Sequence, residues 1–118
     1  MDAPGLGKSI QSILLAEELH SLNKVEHCLV ICGINTLKTN WEKEINKHSN
    51  LTSLLIGKKV RNNGNVTFEG IKYRVEQLSK PIEEFFVILN VESLRSEEIV
   101  NTINNGPNKF DMIIFDEI

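Results

Sequence analysis

Only two cysteines, three prolines and seven glycines occur among the 118 residues, and no apolar run approaches the ~18 residues needed to span a bilayer. So little cysteine excludes a disulfide-stapled secreted scaffold. Cys28 and Cys32, set in an apolar run, read as reduced, buried thiols of an intracellular protein. So little proline and glycine excludes a collagen-like or low-complexity chain. A basic excess is also missing: Lys+Arg is 13 against Asp+Glu 16, a formal net charge of −3. A nucleic acid would therefore have to be held by a local patch and not by overall charge. The start, Met1 to Gly5, has neither the basic nor the apolar region of a signal peptide. No repeat of fixed period and no linker divides the chain, so residues 1–118 are expected to form one lobe. What is present, 41% hydrophobic and 25% charged residues, is enough to pack a core.

The hydrophobic pattern alternates between two periods. After the glycine-punctuated turn Gly5 to Lys8, Ile10, Ile13, Leu14 and Leu19 recur at helical spacing, which predicts a helix over about 8–22. Cys28 to Cys32 reads as a strand buried on both faces, closed by Gly33. Asn35 or Thr36 caps a helix whose inner face is Leu37, Trp41 and Ile45, fraying near His48 to Asn50. Thr52 to Ile56 is a second short strand, and 58–70, with Asn62, Asn63, Gly64 and Asn65, is a loop or irregular hairpin. A weaker helix is expected over Tyr73 to Leu78, a third buried strand over Phe85 to Asn90, and a helix over Glu92 to Asn104 with Leu94, Val100 and Ile103 inward. Gly106, as a left-handed cap, and Pro107 stop that helix, and Met112 to Phe115 is a fourth buried strand. Helices alternating with apolar strands predict an α/β layer structure with a mostly parallel sheet.

Two segments carry chemistry. In Asp2 to Ser9, a glycine-rich turn lets backbone N–H groups converge on phosphate oxygens, and the helix that begins there adds its positive end. Lys8 is placed to reach the terminal phosphates and the Ser9 hydroxyl to ligate Mg²⁺. The ATP-binding set is Gly5, Leu6, Gly7, Lys8, Ser9 and Ile10. Asp2 stands where the strict P-loop pattern asks for glycine, so a plain helix-opening turn is the bland alternative. At the other end, the apolar strand through Phe115 is expected to run through the middle of the sheet and deliver Asp116 and Glu117 at its carboxyl end, where open α/β sheets bind ligands. One carboxylate there can hold Mg²⁺ and the next can orient the attacking water of phosphoryl transfer, so Lys8, Asp116 and Glu117 are the catalytic candidates and Ser9 and Asp116 the metal candidates. Taken alone, the acidic pair reads as a solvated strand end.

Asp2 to Ile13 resembles motif I of the SNF2-type group of superfamily 2 ATPases, with an Asp opening the loop and a Gln two residues after the hydroxyl. Leu29 to Glu44 resembles motif Ia, with its buried strand, Thr36 and Leu37, and Asn40, Trp41 and Glu44 in the Asn-Trp-x-x-Glu pattern. Val87 to Arg95 is similar to the segment that follows in that family, with Val91 in place of Tyr, and Ile113 to Ile118 matches motif II. Pro4, Ser9 and Gly33 stand where the family usually has Met, Thr and Pro, and none of these changes removes a chemical group. The resemblance implies a partial RecA-like, three-layer P-loop lobe that lacks the strand before the loop. It implies the ATP- and Mg²⁺-binding part of a translocase on double-stranded DNA, with Thr36, Leu37 and Lys38 near the DNA backbone. The fragment alone is then expected to be catalytically incompetent. A DExH-type or RNA helicase lobe is the rival enzyme, and a truncated, non-enzymatic DNA- or partner-binding module is the rival of another class.

The other candidates read as structure. Cys28, Cys32, His27, His20 and His48 form no recognisable metal-ligand spacing, and Trp41 keeps helical step with Leu37 and Ile45. Lys38, Lys43 and Lys47, and Lys58, Lys59 and Arg61, read equally as phosphate contacts or solvated faces, while Glu83, Glu84, Glu97 and Glu98 read as surface. An unpaired strand position in the sheet is expected to favour self-association. No membrane partner is expected, and the compartment is the cytoplasm for a bacterial or phage chain and the nucleus for a eukaryotic one.

Overall fold

The structure, a computed structural model, describes residues 6–33 and 35–116, with the backbone alone at 6–9 and 35–37. Its elements run α1 (Leu6–Ser21), β1 (His27–Cys32), α2 (Asn35–His48), β2 (Ser53–Leu55), β3 (Lys58–Val60), β4 (Val66–Phe68), α3 (Ile71–Leu78), β5 (Phe86–Asn90), a short 3-10 helix (Val91–Arg95), α4 (Glu97–Asn105) and β6 (Phe110–Phe115). Four strands make one sheet in the order β2-β5-β1-β6, every pair parallel. β1 and β5 are central. Five consecutive residues in each, Cys28–Cys32 and Phe86–Asn90, are buried, as a strand covered on both faces requires.

Alternation along those strands sorts the core into two layers. Cys28, Val30, Cys32, Phe86 and Ile88 face α1 and α2, meeting Ile13, Ala16, Trp41 and Ile45. Leu29, Ile31, Val87 and Leu89 face the other way, onto Leu78 of α3 and Ile99 of α4. The result is the expected α/β fold, three layers with a parallel sheet in the middle, consistent with a partial RecA-like lobe.

Several local expectations need correction. β6 does not run through the middle: among the described residues it has β1 on one side only. It starts at Phe110, and its residues alternate between half-buried and exposed, Ile113 and Phe115 being 49% and 64% exposed. Met112 and Ile114 pack under the α1/α2 layer, whereas the opposite layer does not reach over Ile113 and Phe115. The single helix expected over 92–104 is broken at Ser96, whose extended backbone (ψ 120) and side chain, accepting from Ile99 N–H, start α4 afresh. Glu97 and Glu98 then fall in the first turn, where their charge suits the helix dipole, and Ile99 rather than Val100 turns inward. Gly106 is extended, not left-handed (φ −79, ψ −176). A Cβ there would lie 2.3 Å from the Thr102 carbonyl oxygen, so close approach and not handedness requires the glycine.

Residues 58–70 resolve into an antiparallel hairpin, Lys58 opposite Phe68 and Val60 opposite Val66, paired with no other strand among the described residues. Gly57, at φ +96, turns the chain from the sheet into it. Gly57→Ala would combine this left-handed backbone with a Cβ 2.7 Å from Arg74 Nε, and should lower stability by about 2 kcal/mol in urea unfolding. Gly64→Ala, at φ +85 with open space around it, carries the backbone strain alone and should cost about half as much. Equal losses would show that the Arg74 contact is immaterial.

Candidate functional site

The direction of α1 follows from its far end. His20 stacks 4.5 Å from Phe85, just before β5, and its Nδ1 lies 3.3 Å from the Val25 carbonyl oxygen, so the C-terminus of α1 sits at the amino ends of β1 and β5. Sixteen helical residues span about 24 Å and a six-residue strand about 20 Å, so α1 traverses the sheet and its first turn lies toward the carboxyl edge. Asp116 emerges at that edge, immediately after β6. Its N–H donates to the Ile31 carbonyl at 2.9 Å, continuing the β1 ladder by one rung.

Trp41 holds the Asp116 carboxylate. The indole ring is 4% exposed and packs in the α1/α2 layer, as its spacing predicts, but Nε1–H also reaches out to Asp116 Oδ2 at 2.9 Å. A helical spacing announces the packing and not the hydrogen bond, since the partner lies 75 residues away.

Gly5 and Glu117 lie outside the described residues, as do the side chains of Leu6, Lys8, Ser9, Thr36 and Leu37. Gly7 and Ile10 lie in the first turns of α1. Lys38, expected beside a DNA backbone, is instead completely buried: its ammonium donates to the Ile56 carbonyl at 3.0 Å and stands 4.8 Å over the Phe68 ring. Burial first, and then the neighbouring Arg74 charge, push its pKa down to about 8. So placed, it offers no charge to solvent.

A second polar group at the same edge was not signalled by any motif. Arg74 of α3 donates through Nη1 to Asn90 Oδ1 (2.5 Å) and Ser93 Oγ (2.6 Å) and through Nε to the Glu69 carbonyl (2.8 Å), while Ser93 Oγ–H donates to Asn90 Oδ1 (2.7 Å). A lone arginine in a short helix gives no sequence sign of this.

The thiols behave as core. Burial pushes Cys28 up to about 12, with Asp111 adding to the shift, and Cys32 up to about 11, so neither supplies a thiolate at neutral pH. Among the described residues no three His, Cys, Asp or Glu side chains cluster as a metal site. Magnesium does not require one, because it keeps much of its water shell and takes one or two protein oxygens together with substrate phosphates. The hydroxyl of Ser9 and the carboxylate of Asp116 are oxygen donors of that kind. No helix among the described residues is long and apolar enough to cross a membrane.

A parallel α/β sheet with the start of α1 and Asp116, at the end of β6, toward the same edge is consistent with a partial RecA-like lobe. The family model described as Type III restriction enzyme, res subunit (ResIII), matches residues 2–118, and the chain belongs to that family. It is thus a superfamily 2 helicase-like domain, whose function class is ATP-dependent action on nucleic acid. Comparison with curated proteins and with solved structures gives no match.

Proposed function

We propose that the chain is the ATP-binding lobe of an SNF2-type, DNA-dependent ATPase that moves on duplex DNA. Lys8 would bind the β- and γ-phosphates, Ser9 and Asp116 would hold Mg²⁺, and Glu117 would orient the attacking water. The observation that carries this reading is the common edge: the first turn of α1 and the Asp116 carboxylate, steadied by Trp41, lie at the same carboxyl end of the sheet. Bound Mg²⁺ would neutralise charge developing on the transferred phosphoryl oxygens. The chain's own part is to cradle phosphates with the backbone N–H groups of the first turn, to place the Lys8 ammonium, and to keep Asp116 in one orientation. The Asn-Trp-x-x-Glu spacing of Asn40, Trp41 and Glu44 supports the SNF2 subtype, and the restriction-enzyme name of the family favours DNA over RNA.

Fluorescent ATP should bind the chain in the presence of Mg²⁺, and Lys8→Ala should weaken that binding by about tenfold or more, the loss of one charge-assisted hydrogen bond. DNA should not stimulate turnover by these residues alone, because an arginine supplied from a second lobe is worth roughly 10³ to 10⁵ in rate. Unchanged nucleotide affinity in Lys8→Ala would remove the assignment of the loop, and DNA-stimulated hydrolysis lost in Lys8→Ala would show that the lobe is competent by itself.

A further inference from the structure

Asparagine is followed by glycine twice in the chain, at Asn63–Gly64 and at Asn105–Gly106. Glycine has no Cβ to crowd its own peptide nitrogen, so that nitrogen can close on the side-chain amide carbon of the asparagine before it. The fold treats the two pairs oppositely. Asn63–Gly64 forms the tip of the β3–β4 hairpin: beyond the Val60–Val66 pair, Arg61 N–H donates to the Asn65 carbonyl at 2.8 Å and Gly64 N–H to the Arg61 carbonyl at 2.9 Å. With Gly64 at φ +85, the turn ends on a left-handed residue, which calls for glycine there and accepts asparagine before it. Both residues are exposed, and a Cβ on Gly64 would meet nothing within 4 Å. The Asn63 side chain is folded forward over the Gly64 peptide, because its Oδ1 accepts from Asn65 N–H at 3.0 Å. That bond polarises the side-chain carbonyl and would stabilise the oxyanion formed when a nucleophile adds to Cγ. Only the Gly64 N–H bond opposes the approach, and an exposed turn bond is readily exchanged for water.

Asn105 is exposed as well, so exposure does not separate the two; the peptide that follows does. Gly106 N–H completes α4 by donating to the Thr102 carbonyl at 2.9 Å. A Cβ on Gly106 would lie 2.3 Å from that same oxygen and 3.4 Å from the Leu78 carbonyl oxygen, so the glycine has no room to turn. Two residues on, Asn108 pins the chain to Ile82, Lys80 and Leu78. Ring closure at Asn105 therefore requires the last turn of α4 to come apart, whereas at Asn63 it requires one exposed bond to open.

We propose that Asn63 is a site of base-catalysed self-modification, with the Gly64 nitrogen as nucleophile and water as the co-reactant. Hydroxide takes the Gly64 amide proton, and the nitrogen attacks Asn63 Cγ. The new N–Cγ bond forms as the Cγ–Nδ2 bond breaks, Nδ2 leaves as ammonia, and a five-membered succinimide remains. Water then opens the ring at one of its two carbonyls. Cleavage at Cγ leaves aspartate at position 63; cleavage at the main-chain carbonyl leaves isoaspartate, whose main chain runs through the former side chain. Either product adds a carboxylate and takes the formal net charge from −3 to −4. Isoaspartate also inserts an extra main-chain atom into the ring that the Arg61–Asn65 bond closes.

The test holds the intact chain at pH 7 and at pH 9 and follows both asparagines by peptide mapping and mass spectrometry. In the folded chain Asn63 should convert at least about tenfold faster than Asn105, as a difference of one further bond to be opened requires. The rate at Asn63 should rise with pH, and an isoaspartate-specific carboxyl methyltransferase with a labelled methyl donor should mark the Asn63 peptide. In guanidinium chloride, where neither the turn nor α4 survives, the two rates should become equal, which assigns the difference to the fold. Equal rates in the folded chain, faster conversion at Asn105, a rate at Asn63 that does not change with pH, or conversion there without isoaspartate would overturn the proposal.

Discussion

Replacing Lys38 by Met should make the chain more stable at neutral pH, although it deletes a hydrogen bond and a cation–π contact. The folded-state pKa of Lys38 lies at about 8 against an ordinary 10.5, so holding the charged form in its buried place costs about 3 kcal/mol. The variant escapes that cost but leaves the Ile56 carbonyl without its donor, a loss of about 1 kcal/mol, for a net gain of about 2 kcal/mol. The pH dependence fixes the cause. Below pH 8 both states of the wild type carry the proton on Lys38 and the whole cost is present. Between pH 8 and 10.5 the unfolded chain retains a proton that the folded chain has lost, so the wild type gains stability with rising pH. The variant's advantage should shrink across that window and reverse above it. Cys28 and Cys32, raised from 9.0 to about 12 and 11, act in the opposite sense, losing stability as pH rises above 9; Cys28 is common to both proteins, while Cys32, whose thiolate the Lys38 charge favours, is raised further in the variant and so adds to the shrinking of its advantage. Urea unfolding of the two proteins at pH 7 and pH 10 measures this, and a gap that does not change with pH would show that burial of charge is not its source.

Asn108→Ala should be the most damaging polar substitution, with a loss of about 3 kcal/mol. Asn108 is 7% exposed and uses its whole amide: Oδ1 accepts from Ile82 N–H at 2.7 Å, and Nδ2 donates to the carbonyls of Lys80 at 2.8 Å and Leu78 at 3.2 Å. It thereby pins the chain leaving α3 to the segment that enters β6. Truncation strands one buried N–H and two carbonyls, and alanine cannot reach any of them. Asn108→Asp keeps the acceptor and should fall between the two. A loss below about 1 kcal/mol for Asn108→Ala in urea unfolding would mean that water replaces the amide.

The alternation of elements was legible because apolar spacing reports burial directly: the runs at Cys28–Cys32 and Phe86–Asn90 are the two strands covered on both faces. The same logic misplaced β6, since an apolar run says that a strand can be covered, not that a layer lies over it. It also missed the break at Ser96, where a capping hydroxyl followed by two glutamates looks like one more polar stretch of a longer helix. At the candidate site, Asp116 and the α1 turn were found through their motifs. Lys38 was singled out through the motif Ia resemblance, but as a DNA contact; its burial, Arg74 and Asn108 were not legible, because a buried polar residue looks in sequence like a solvated one until its partners, 16 to 30 residues away, are folded beside it.

The central claim is that the Lys8–Ser9 turn and the Asp116–Glu117 strand end flank one metal–nucleotide pocket. Mn²⁺ accepts the same oxygen ligands as Mg²⁺ and broadens nearby nuclear resonances. Substoichiometric Mn²⁺–ATP added to the isotope-labelled chain should erase the amide signals of Ser9 and Asp116 together and spare those of His27 and Phe86 at the opposite edge. Broadening of only one of the two ends, or of neither, would contradict the account.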